Sequence, residues 1–248
     1  LLCWFFSLSS WGFAAQTPAE LAAGQKTTEQ LKENATTLTP SNDKEVIVGI
    51  HLNDVQAIDL KLHNYMMDFY IWFRWKDPNL DPATSMEFIN HSDSWSTMQK
   101  NSYEKPETLA DGTLYQVTHV QGKMSKKMDL HDYPFDQQII RIVIEDNEHD
   151  IDALSYKVEG VTMNGELKLP GFLYQPPIFT QQTYTHQTTF GDPRSTNAST
   201  YSRLTFDLPI SRPHVNAFMK NIVPILLAIS IYTNCRTVFF RPSNCSEV

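Results

Sequence analysis

Five carboxylates crowd into eight residues at Glu145-Asp146-Asn147-Glu148-His149-Asp150-Ile151-Asp152. Oxygen ligands at that density suit a hard divalent cation or an organic cation, although the spacing follows no defined calcium loop, and a solvated acidic loop needs the same residues. The 8 His are scattered without ligand spacing, and the 3 Cys, at 3, 235 and 245, lie near the two ends. No disulfide framework and no Cys-based zinc site follows from them. A Gly-rich phosphate loop, a GxSxG elbow and an HExxH helix are all missing, so the common catalytic signatures have no counterpart. The reading is of a protein that is not an enzyme and carries no resident metal or cofactor.

The charge balance points the same way. With 20 Lys and Arg against 28 Asp and Glu, the 248-residue chain carries −8. Binding nucleic acid needs a basic face, and no basic run is present. Apolar residues make up 41% and charged residues 19%, enough to bury a core and too little charge for a disordered chain.

The elements that would carry any site are strands. Val46, Val48, Ile50 and Leu52 are apolar at a period of two, as are Phe69, Ile71, Phe73 and Trp75; Ile140, Ile142 and Ile144; and Leu204, Phe206, Leu208 and Ile210. Between them Tyr70, Trp72, Arg74, Arg141, Glu145, Arg203, Thr205 and Asp207 form opposite, more polar faces. That alternation, divided by Asp-Pro, Asp-Gly, Asn-Gly and Pro-Gly turns, predicts an all-β antiparallel sandwich of about ten strands over 46–212.

The ends differ from this middle. Residues 1–15 carry no charge and close on small residues, as a secretory signal peptide does. Residues 16–45 contain Thr17-Pro18-Ala19-Glu20, a capping box with Pro at the first helical position, which predicts a short helix and a linker. Ile222 to Tyr232 is strongly apolar but short of the ~20 residues that span hydrocarbon. Residues 213–248 read as the start of a transmembrane segment, cut short and followed by an aberrant tail. Four Asn-x-Ser/Thr sequons begin at Asn34, Asn90, Asn197 and Asn244; the chain is read as bacterial and the sequons as chance.

Four stretches, in order, resemble the extracellular domain of prokaryotic pentameric ligand-gated ion channels, the Cys-loop receptor superfamily. The run from Asp68 to Pro78 is similar to that domain's second strand, with Trp75 and Asp77 as its W-x-D ending. Tyr133-Pro134-Phe135-Asp136 resembles the signature loop, whose closing disulfide would fall at Lys126 and Ile140 and is absent, as in bacterial members. Tyr201 to Pro213 resembles the last strand, and Asn221-Ile222-Val223-Pro224 the opening of the first membrane helix. The resemblance covers about 46–232 and implies an immunoglobulin-like sandwich of the neurotransmitter-receptor ligand-binding type.

It also implies roles. Identical subunits would form a pentamer at the cell membrane, with this domain outside the cell or in the periplasm, binding a small agonist between subunits and coupling it to a pore this chain lacks. Tyr70 and Trp72 would be the complementary side; Glu145, Asp146, Tyr184 and Phe190 the principal side. Aromatic rings attract a cation through their faces, and the carboxylates favour an amine. Ordinary sheet packing would use the same rings. Protons are a second agonist, since carboxylates and His119 or His131 can titrate near neutrality when perturbed. Coupling would fall to Asp59, to Tyr133, Pro134, Phe135 and Asp136, and to Arg212, with a charge-assisted Asp136 to Arg212 pair at the junction or, alternatively, a surface ion pair of little worth. A soluble pentameric binding protein of the acetylcholine-binding type is the alternative without channel activity.

Overall fold

Alternation decides the architecture. In the computed structural model, which describes residues 38–93, 97–188 and 199–239, Val46, Val48, Ile50 and Leu52 are all fully buried, as are Phe69, Ile71, Phe73 and Trp75. Ile140, Ile142, Ile144, Leu204, Phe206 and Leu208 close the core from the other side. The chain divides into two units, Leu1–Leu38 and Thr39–Val248, and the described residues fall almost wholly in the second. The expected signal peptide and N-terminal helix lie outside the described residues.

Among the described residues, eleven strands pair into two sheets. The first contains β1 (Glu45–Asp59), β2 (Asn64–Trp75), β4 (Met98–Asn101), β6 (Leu114–Ser125) and β8 (Ser155–Met163), in the order β4-β6-β2-β1-β8, with β5 (Glu107–Thr108) also on β6. The second contains β3 (Met86–Phe88), β7 (Gln137–Asp146), β10 (Ile178–Thr185) and β11 (Thr200–Ser211), in the order β10-β11-β7-β3, with β9 (Leu173–Tyr174) on β11. One pairing departs from the antiparallel expectation: β1 and β8 run parallel. A one-turn helix, α1 (Pro82–Ser85), leads into β3, and α2 (His214–Phe239) follows β11.

Side chains bridge the sheets. The Tyr65 hydroxyl on β2 donates to the Arg141 carbonyl on β7 (2.7 Å) and accepts from the Arg141 N–H (2.8 Å). Asn90 donates to the carbonyls of Ser125 (3.0 Å) and Arg141 (2.9 Å) and accepts from the Val143 N–H (2.8 Å). With its amide committed to three backbone groups, Asn90 serves as a sheet-to-sheet tie and not as a glycan carrier. The W-x-D ending shapes a turn: Trp75 Nε1 donates to the Leu80 carbonyl (2.9 Å), and Asp77 accepts from the Asn79 N–H (2.9 Å).

α2 presents Ile225, Leu226, Leu227, Ile229, Ile231 and Tyr232 to the surface. No helix among the described residues is long and apolar enough to cross a membrane.

Candidate functional site

Three groups of predicted residues fall at three separate sites, each positioned by strand register. On the outer face of the first sheet, β2 carries Asp68, Tyr70, Trp72 and Arg74, flanked by β1 and β6. Tyr70 is directly opposite His119, and the two rings stack at 4.4 Å with an interplanar angle of 12°. His119 Nε2 lies 2.8 Å from Asp68 Oδ1, and Gln121 donates to the other Asp68 oxygen (2.5 Å). Burial works to raise the Asp68 carboxyl, but the hydrogen bonds from Gln121, His119 and Asn53 outweigh it and hold the group below its ordinary value.

Trp72 is half-buried, and its Nε1 donates to Glu159 Oε2 on β8 (2.9 Å). The second Glu159 oxygen accepts from Arg74. The indole lies across Gly49, its register partner on β1, so closely that a methyl group there would overlap ring atoms Cζ2 and Cε2. Trp72 is thus held from beneath by a missing side chain and at its edge by a carboxylate. Glu159 was not singled out in the sequence, because only the parallel β1–β8 pairing brings it to Trp72.

The second group lies on the outer face of the other sheet. Glu145 is the last residue but one of β7, and its side chain is buried beside β11. One carboxylate oxygen accepts from Arg203 Nε; the other is 2.9 Å from His186 Nε2. The Arg203 guanidinium lies 3.3 Å over the centre of the Tyr184 ring, and His186 meets Tyr184 (4.8 Å) and Tyr201 (5.6 Å) edge to face. Arg203, His186 and Tyr201 complete this cluster without having been singled out. The signal for Tyr201 and Arg203 was present on the last strand, but the Arg203 to Glu145 meeting requires the β11–β7 register, and His186 stands just beyond β10.

Asp146 does not join that cluster. Neighbouring residues on a strand point to opposite faces, and Asp146 turns inward, where it accepts from the Ser85 hydroxyl and from the N–H groups of Glu148 (3.0 Å) and His149 (2.7 Å). It holds the turn after β7, whereas from the sequence it was expected at the ligand site beside Glu145. The neighbouring Tyr156 hydroxyl is pushed well up, by burial first and by the Asp146 charge second. The acidic run is spent in the same way: Asp150 accepts from the N–H groups of Asp152 (3.1 Å) and Ala153 (3.2 Å). Among the described residues no three His, Cys, Asp or Glu converge on a metal position. Phe190 lies outside the described residues.

The third group gathers where β11 ends and α2 begins. Arg212 Nε donates to Asp136 Oδ1 (3.2 Å), and Gln138 donates to Asp136 Oδ2 (2.8 Å). The guanidinium is 4.9 Å from the centre of the Tyr133 ring and 5.1 Å from that of Phe172. The Tyr133–Pro134 peptide is cis. Asp59 accepts from the N–H groups of Lys61 and Leu62 (both 2.9 Å), folding the β1–β2 turn on itself. That turn meets the loop before Asp136, since His63 accepts from the N–H groups of Lys126 and Met128. Leu62, Leu130, Tyr133, Phe135 and Leu173 are exposed around this end. His131 lies in the same loop, its N–H on Asp129 (2.9 Å).

Fold and sites together define a two-sheet β protein with a charged aromatic cluster on each outer face and a salt-bridged junction at the start of its last helix. Comparison with known proteins finds no matching family model and no matching curated protein.

Proposed function

We propose that the chain is the extracellular ligand-binding domain of a pentameric ligand-gated ion channel subunit, immunoglobulin-like in its sandwich type and anchored at the cell membrane through the segment that begins at α2. The observation that carries this reading is the junction: the buried Asp136 carboxylate grips Arg212 at the point where the last strand hands over to an apolar helix. An ion pair with one partner almost fully buried transmits displacement between the two segments it joins, because breaking it leaves a charge in a poorly solvated site. The β1–β2 turn packs against the same loop, so three segments meet at that end.

The two outer faces supply what an interface between subunits needs. Tyr70 and Trp72 stand on one sheet, and Tyr184, Tyr201 and Arg203 on the other, so a ring of copies would bring one face of each subunit to the opposite face of the next. Such a head-to-tail contact closes into a ring when the rotation permits. Agonist bound between them would bias the junction by its differential affinity for two arrangements.

The test is assembly and response in the full-length subunit. Native mass spectrometry in mild detergent should give a pentamer, and small-molecule application should evoke current that Asp136→Asn removes while surface expression persists. A monomer at all concentrations would reject the reading.

A further inference from the structure

The chain provides its own cation at the Glu145 cluster. Arg203 covers the face of Tyr184 at 3.3 Å and donates from Nε to Glu145, whose other oxygen faces His186. An incoming ammonium group would find the Tyr184 face nearest Glu145 already taken by Arg203 and no uncommitted Glu145 oxygen. What the cluster does leave open is a set of donors. A guanidinium carries five N–H groups, one of them on Nε, and the terminal nitrogens of Arg203 make no hydrogen bond among the described residues. The Arg203 side chain is 13% exposed and lies beside Tyr184, which is 40% exposed. Glu87, opposite Glu145 in the β3–β7 register, is exposed, and water screens its charge.

A planar fork held at its Nε edge presents its terminal edge in the geometry that matches a carboxylate with two parallel hydrogen bonds. We propose that this face takes a small carboxylate-bearing ligand, gripped by the terminal nitrogens of Arg203 with its apolar part against Tyr184 and Tyr201. The inference rests on the reading of this face as the ligand site and names the class of ligand; it replaces the amine expected from the acidic residues. Glu145 then acts as a positioning residue: it orients the guanidinium and does not touch the ligand.

Benzoate and benzylamine, matched in shape and opposite in charge, separate the possibilities when titrated against the full chain in detergent by ligand-observed NMR. Benzoate should bind the native chain, bind Arg203→Lys about tenfold more weakly, since a lysine keeps the charge against Glu145 but loses the fork, and not bind Arg203→Gln. Should Arg203→Gln fail to fold, Arg203→Lys carries the test. Equal benzoate affinity in the native chain and Arg203→Lys would overturn the assignment. Benzylamine binding that Tyr184→Ala abolishes, with no benzoate binding, would overturn the carboxylate class while keeping this face as the ligand site. Binding of neither probe would overturn both the inference and the ligand-site reading beneath it.

Discussion

Arg212 Nε donates to Asp136 Oδ1 at 3.2 Å, and the two residues, 76 positions apart, join the loop after β6 to the start of α2. Asp136 is almost fully buried and Arg212 is 23% exposed, so the pair is neither a free surface contact nor a sealed interior one. Asp136→Ala and Arg212→Ala should each destabilise the domain, the former more, and the double mutant should cost less than the sum. A coupling of about 0.5 to 3 kcal/mol is expected in chemical denaturation of the four proteins; additive effects would show that the pair contributes nothing beyond its separate members.

Gly49 is required by the indole that lies on it. Gly49→Ala should push Trp72 off Glu159 and cost about 1 to 3 kcal/mol, the range for overpacking a filled site. Pairing it with Trp72→Ala should recover part of that loss, because the obstruction is then gone. Urea unfolding followed by circular dichroism reads both, and an unchanged midpoint in Gly49→Ala would mean that the ring is free to move.

Asn90 connects β6 and β7 through three backbone hydrogen bonds. Asn90→Ala takes this partner from the Ser125 carbonyl and the Val143 N–H, while the Arg141 carbonyl keeps the Tyr65 hydroxyl, and each buried group left unpaired costs about 1 to 3 kcal/mol. The expected loss is about 2 to 4 kcal/mol by thermal unfolding, large for one substitution. Asn90→Asp should fail similarly, since a carboxylate cannot donate to the Ser125 and Arg141 carbonyls.

Stability should fall at both extremes of pH for separable reasons. Tyr65 is pushed up to about 12, burial being the largest cause, so the folded state keeps a proton that the unfolded chain releases near pH 10. Its contribution is whole below pH 10 and is lost as pH rises toward about 12. Spectrophotometric titration at alkaline pH should show the Tyr65 phenol ionising only with unfolding, and Tyr65→Phe should remove one such late group. Asp68 is held low instead, so its contribution is present above the unfolded carboxyl's range near pH 4 and is lost as pH falls through the folded value. Asp68→Asn should flatten the acid limb; an unchanged acid limb would show that its hydrogen bonds add nothing to stability.

The sequence by itself determined the core. Period-two alternation in β1, β2, β7 and β11 names the buried residues in advance, because a strand has two faces and a soluble sheet must hide one of them. The pairing of Asp136 with Arg212 was expected only from the family resemblance of their two motifs, and no periodicity links them. Tertiary structure decided what the outward residues do. Glu145 and Asp146 are adjacent and chemically alike, yet one is paired with Arg203 on the outer face and the other ties down a turn with Ser85. Trp72 depends on Gly49 and on Glu159, which come from two other strands, one of them parallel. Burial follows from local periodicity, but the partner of a charge follows from which strand lies alongside and in what register, and that is set by the packing of the whole sandwich.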